Sequence, residues 1–81
     1  MRKHNAQQVF GEVVRRLRQE RKLSQEALAD EAGLHRTYIS LLERGLRNPS
    51  LTVIQQLADG LKITTSELVS AFDAAFRRRP L

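Results

Sequence analysis

"SQEALADEAGLHRTYISLLERG", residues 24–45, is the stretch on which the fold turns. Ser24 can accept from the free N–H groups that open a helix over SQEALADEA, and Gly33 ends it. Only a tight turn fits before Ile39 and Leu42 resume a helical period. A further helix therefore runs over about residues 35–43 and stops at Gly45. Ile39 and Leu42 are three apart and turn inward together, leaving Arg36, Thr37, Ser40 and Leu41 on the other side.

Two short helices joined by a three- or four-residue turn containing glycine make a helix-turn-helix unit. Ala29 is small where the second helix crosses the first, Gly33 can take the positive φ of the turn, and Leu34, Ile39 and Leu42 fix the crossing.

Outward from this unit the chain continues in helices. Phe10, Val13, Val14 and Leu17 follow the i, i+3, i+4, i+7 spacing of a helix over about residues 6–21, with Glu12, Arg15, Arg16 and Gln19 opposite. "LRNPS" is a loop whose Ser50 caps a fourth helix with an inward stripe of Leu51, Ile54, Leu57, Ala58 and Leu61. Thr64 and Glu67 have the spacing of a capping box and open a fifth helix carrying Leu68, Val69, Phe72 and Phe76. No segment alternates with period two as a strand would, so the fold is expected to be all-α with five short helices. Eighty-one residues suffice for a single domain, with its core in about residues 9–70 and a basic tail at 77–81.

The chain has no cysteine, so disulfide staples, cysteine-ligated zinc and thiol nucleophiles are excluded, and a reducing, cytoplasmic home is expected. No apolar run resembles a signal peptide or approaches the ~20 residues of a membrane span. His4 and His35 share no ligand spacing, so no metal is expected. No cofactor is expected, and no nucleophile with a base partner or phosphate-cradling glycine loop can be assembled, which argues against an enzyme.

Net charge is +5, and eleven of fourteen basic residues are arginine, whose planar fork suits phosphate and guanine edges. The charge is uneven: residues 1–22 carry +5, 23–45 carry −2, 46–76 carry −1, and Arg77 to Arg79 add +3. Composition alone therefore does not establish nucleic-acid binding. "RRRPL" is either an arm that reaches phosphates or a solvated tail.

The run "LSQEALADEAGLHRTYISLLERGLRNPSLTVIQQLADGLKITTSELV" resembles the Cro/phage-repressor (XRE) family of helix-turn-helix DNA-binding domains. Its marks are "LSQEALA", Gly33, "YIS..ERG", "NPS" and "LADGL". "HRTYIS" followed by "ERGLRN" is also similar to the small controller proteins of restriction-modification systems. The resemblance implies a compact, λ-repressor-like domain with the third helix in the DNA major groove, its N-terminal residues at base edges. Carried over, it points Arg36, Thr37, Ser40 and Leu41 toward bases. Arg36 can pair bidentately with guanine, Thr37 can bond a base or touch a thymine methyl, and Leu41 offers only apolar contact or is a surface leucine.

Gln25 is the family's usual phosphate contact, with Tyr38, Arg44, Arg47 and Asn48 as further candidates. Asn48 reads equally as a turn residue before Pro49. His35 reads either as a polar residue near the DNA backbone or as a solvated side chain. The resemblance also implies an Arg18–Glu43 salt bridge between helix 1 and the end of helix 3. It implies a homodimer on a two-fold operator, for which Val69, Phe72 and Phe76 form a candidate self-complementary patch or simply cover helices 1 and 4. The leading expectation is a transcription regulator of double-stranded DNA without a ligand-sensing domain. Alternatives are a restriction-modification controller, a phage repressor or an antitoxin of the same fold. The net-negative middle of the chain also admits a protein-interaction module that does not bind DNA.

Overall fold

Each helix is set by its cap and by one buried stripe. The computed structural model describes residues 5–78, and five helices run in order: α1 (Ala6–Glu20), α2 (Gln25–Ala32), α3 (Arg36–Glu43), α4 (Leu51–Gly60) and α5 (Thr65–Arg78). There is no strand among the described residues. His4 and Arg79, on which expectations were placed above, lie outside them.

Side-chain oxygens cap four of the helices. Asn5 accepts from Gln8 N, Ser24 from Ala27 N and Ser50 from Val53 N, at 2.8, 2.9 and 3.1 Å. At α5 the box is reciprocal: Thr64 Oγ1 accepts from Glu67 N at 3.0 Å, and Glu67 Oε1 accepts from Thr64 N at 2.8 Å. His35 caps α3, its Nδ1 accepting from Thr37 N at 3.3 Å.

Left-handed residues follow four of the helices. Gly33 (φ 70°) and Gly45 (φ 77°) supply two of them, and Lys22 (φ 57°) and Lys62 (φ 63°) the others. The backward hydrogen bonds agree: Leu34 N to Ala29 O at 2.9 Å, Leu46 N to Leu41 O at 2.9 Å and Ile63 N to Ala58 O at 3.0 Å.

Val9, Phe10, Val13, Val14 and Leu17 of α1 are buried with Leu28, Ala29, Ile39, Leu42, Leu57, Ala58, Leu61 and Leu68 in one cluster. Leu23, Leu34 and Tyr38 pack at its margin. α2 lies against α3 and α4, α1 against α3 and α5, and α4 against α5. Gly11 lets α1 cross the end of α3 closely. A Cβ there would collide with the Leu42 carbonyl oxygen and stand 2.9 Å from that of Glu43.

Two expectations are corrected. Leu51 does not belong to the inward stripe of α4: it is 75% exposed. It is the first residue of the helix, and its side chain leans toward the N-terminus, past the end of the core. Arg77 and Arg78 do not begin a tail but form the last turn of α5, where cations face the negative end of the helix dipole. Arg77 Nε also donates to Asp73 Oδ1 at 3.0 Å, an i, i+4 pair that favours continuing the helix.

Candidate nucleic-acid interface

The two faces of α3 carry different residues. Ile39 and Leu42 are wholly buried, and Glu43 is 8% exposed, so the helix is held to the body along one side. On the other side Arg36 and Thr37 stand exposed, with Ser40 and Leu41 half-buried beside them. The Arg36 guanidinium is tied to no acceptor among the described residues.

Glu43 is anchored by a fork. Arg18 Nε donates to Glu43 Oε2 at 2.7 Å and Arg18 Nη2 to Oε1 at 3.0 Å, while Arg18 Nη1 donates to Leu23 O at 2.8 Å. The pair is buried, its charges cancel within one bidentate contact, and every buried side-chain polar atom among the described residues has a partner. Gln25, at the start of α2, donates from Nε2 to Glu43 Oε1 at 3.0 Å. One carboxylate thus joins α1, α2 and α3.

The remaining basic candidates flank the end of α3. Arg44 is exposed and its Nε reaches Ser40 O at 3.4 Å, while Arg47 Nη1 donates to Leu46 O at 3.1 Å. Tyr38 is half-buried. Burial pushes its phenol above the ordinary value of 10.0, and the charge of Arg47 pulls it partly back. Asn48 is exposed on the same loop and borders an apolar groove. That groove, about 190 Å³, is walled by Phe10, Pro49, Ile54, Val69 and Phe72. Phe72 meets Phe10 edge-on at 6.0 Å and lies against Phe76 at 5.6 Å, and Val69 and Phe76 remain 42% and 40% exposed. The exposed side chains on α3 and the aromatic patch on α5 are therefore separate features.

Several long-range braces leave no trace in the sequence pattern. Gln56 Nε2 donates to Ala32 O at 3.2 Å and fastens the turn of the helix pair to α4. Gln7 Nε2 donates to Gly45 O at 3.3 Å, and Arg21 Nε to Leu61 O at 2.7 Å. A polar side chain that bonds a carbonyl far along the chain has no periodic signature. Gly11 did leave a signal, because a glycine inside a helical stripe marks a close approach. Among the described residues no three His, Asp or Glu side chains converge as metal ligands would.

Two helices crossed over a left-handed glycine, the second pinned on one face and carrying exposed polar residues on the other, define a helix-turn-helix protein. The chain belongs to the helix-turn-helix family, whose pattern matches residues 14–68. It is similar to the control protein C.BamHI of Bacillus amyloliquefaciens, 43% identical over 67 residues that span 82% of this chain and 83% of that protein. The crystal structure of the restriction-modification controller protein C.AhdI from Aeromonas hydrophila superposes with a TM-score of 0.73 at 48% identity, covering 75% of this chain and 92% of that one. The controller protein C.Esp1396I, solved as a tetramer in complex with its natural 35-base-pair operator, superposes with a TM-score of 0.86 at 25% identity. That match covers 94% of this chain and all of the other. No helix among the described residues is long and apolar enough to cross a membrane.

Proposed function

We propose that this protein is a cytoplasmic, sequence-specific DNA-binding transcription regulator, the control protein of a restriction-modification system, acting as a homodimer on a two-fold operator. The observation that carries the reading is the division of α3 into a buried anchoring face and an exposed face headed by Arg36 and Thr37. The similarity to named control proteins supplies the biological setting. In this reading α3 lies in the major groove. Arg36 pairs with guanine, Thr37 and Ser40 meet neighbouring base edges, and Leu41 touches an apolar edge such as a thymine methyl. Gln25, Tyr38, Arg44, Arg47 and Asn48 hold phosphates on either side and fix the register of the helix. Val69, Phe72 and Phe76 meet their counterparts in a second copy, which duplicates the reading helix across the two-fold axis.

The test is selection of bound duplexes from a random DNA pool, followed by titration of the selected site and of a scrambled duplex at two salt concentrations. Half-sites about 10 bp apart are expected, with affinity falling steeply as salt rises. Arg36→Ala is expected to weaken the selected site by about 1–3 kcal/mol and to leave the scrambled duplex nearly unaffected. Equal losses on both would reassign Arg36 to phosphate. Absence of any salt-dependent binding would favour a protein-interaction module instead.

A further inference from the structure

The Arg18–Glu43 pair is arranged for more than holding α1 to α3. Glu43 Oε1 receives two donors, Arg18 Nη2 and Gln25 Nε2, each at 3.0 Å, while Oε2 is taken by Arg18 Nε at 2.7 Å. Glu43 is buried and Gln25 half-buried, so the contact to Gln25 runs from the interior outward to the mouth of α2. A carboxylate only accepts, so the carboxamide of Gln25 must turn its NH2 group inward. That fixes the amide plane and leaves one Nε2–H directed elsewhere. An unrestrained glutamine side chain would instead lose rotamer freedom each time it docked a ligand.

From this geometry we infer that Glu43 is the positioning residue for Gln25. It holds the amide so that the second Nε2–H donates to a phosphate oxygen at the start of α2, beside backbone N–H groups that favour an anion. The inference rests on the proposed reading of Gln25 as a phosphate contact. Arg18 is integral to the device. A bare carboxylate behind Gln25 would repel the phosphate, and the guanidinium cancels that charge while Oε1, with a second lone pair, still accepts from the amide. The ion pair between α1 and α3 is thereby coupled to DNA affinity without touching DNA.

Replacement of the pair by apolar residues of similar size tests this, because a buried ion pair can often be exchanged in that way at little cost in stability. Binding to a fluorescein-labelled mixed-sequence duplex is measured for the parent, Gln25→Ala, the double variant Arg18→Met/Glu43→Leu, and the triple variant. Gln25→Ala is expected to weaken binding by about tenfold, the scale of one hydrogen bond to a charged group. The double variant is expected to melt near the parent and to lose the same factor, and the triple variant to lose no more, the non-additivity that marks a shared interaction. The salt dependence should keep its slope in all three, because no cation leaves a phosphate.

A folded double variant that binds like the parent, or a triple variant that sums two separate losses, would overturn the positioning role. No loss in Gln25→Ala would instead sink the phosphate contact itself. Should the double variant fail to fold, the side-chain amide spectrum of the unaltered protein decides. The Gln25 Nε2 protons are expected to be shifted further apart and to exchange with solvent more slowly than those of exposed Gln19 and Gln55, and a pair with the shifts and exchange rate of those two would refute the restraint.

Discussion

Gly11 and Tyr38 show how single positions carry the fold. A Cβ at position 11 meets backbone carbonyl oxygens, not the pliable end of a side chain, and the last turn of α3 that it meets is fixed by the Arg18–Glu43 fork. Gly11→Ala is therefore expected to lower stability by about 3 kcal/mol in urea unfolding despite the better helix propensity of alanine, and an unchanged midpoint would show that α1 can withdraw. Tyr38 is the chain's single tyrosine, so absorbance titration of its phenolate reports one site. Burial raises its pKa in the folded state, which means the native protein holds this proton longer than the unfolded chain. Stability attributable to Tyr38 is accordingly complete below the ordinary value of 10.0 and declines as pH rises past it. Tyr38→Phe is expected to abolish that alkaline decline, and Arg47→Ala to move the phenol higher still. A titration midpoint at or below the ordinary value would contradict both. Neither position was fully legible from the sequence. A lone glycine announces a close approach without naming its partner, and Tyr38 sits at the margin of the core, where helical spacing does not say how far a side chain is covered.

Among the elements, α2 and α3 were the most legible, because Ser24, Gly33 and Gly45 mark their limits and the inward residues between them keep register. α4 starts where its Ser50 cap implies, and only its inward stripe was drawn one turn too long. Helical spacing assigns Leu51 to the same face as Ile54 and Leu57, yet periodicity knows nothing of where the neighbouring helices stop. The contrast is measurable. Leu51→Gln is expected to change the stability of the monomer by less than about 0.5 kcal/mol, as for an exposed site, whereas Leu57→Ala, wholly buried, should cost about 3 kcal/mol. Comparable losses at the two positions would mean that the first turn of α4 is covered. The end of α1 falls within one residue of its expected place, but neither it nor the end of α4 is marked by a left-handed glycine. Lys22 and Lys62 take the left-handed geometry that glycine takes after α2, so those boundaries carry no glycine signal. Cross-links such as Gln25 to Glu43 and Gln56 to Ala32 were hidden as well, since bonds between positions 18 and 24 apart leave nothing in the local pattern.

At the scale of the whole molecule, the exposed aromatic patch on α5 bears on assembly. Val69 borders the apolar groove and Phe76 lies against Phe72, so a second copy can bury both together with the groove's rim. Phe76→Asp places a charge in that patch while leaving the core untouched. It is expected to yield monomers in sedimentation, to remove any rise of melting temperature with protein concentration, and to weaken binding to a two-fold site. An unchanged oligomer would exclude this face as the contact. The anchoring of α3 along one side also has an evolutionary consequence. Ile39, Leu42 and Glu43 bear the packing of this eight-residue helix, and Arg36 and Thr37 take no part in it. Changes at positions 36 and 37 are thus nearly invisible to the stability threshold that removes most mutations. Under the proposed reading of α3, a lineage carrying this scaffold can drift between target sequences by exchanging two exposed side chains, with no repair needed elsewhere in the chain.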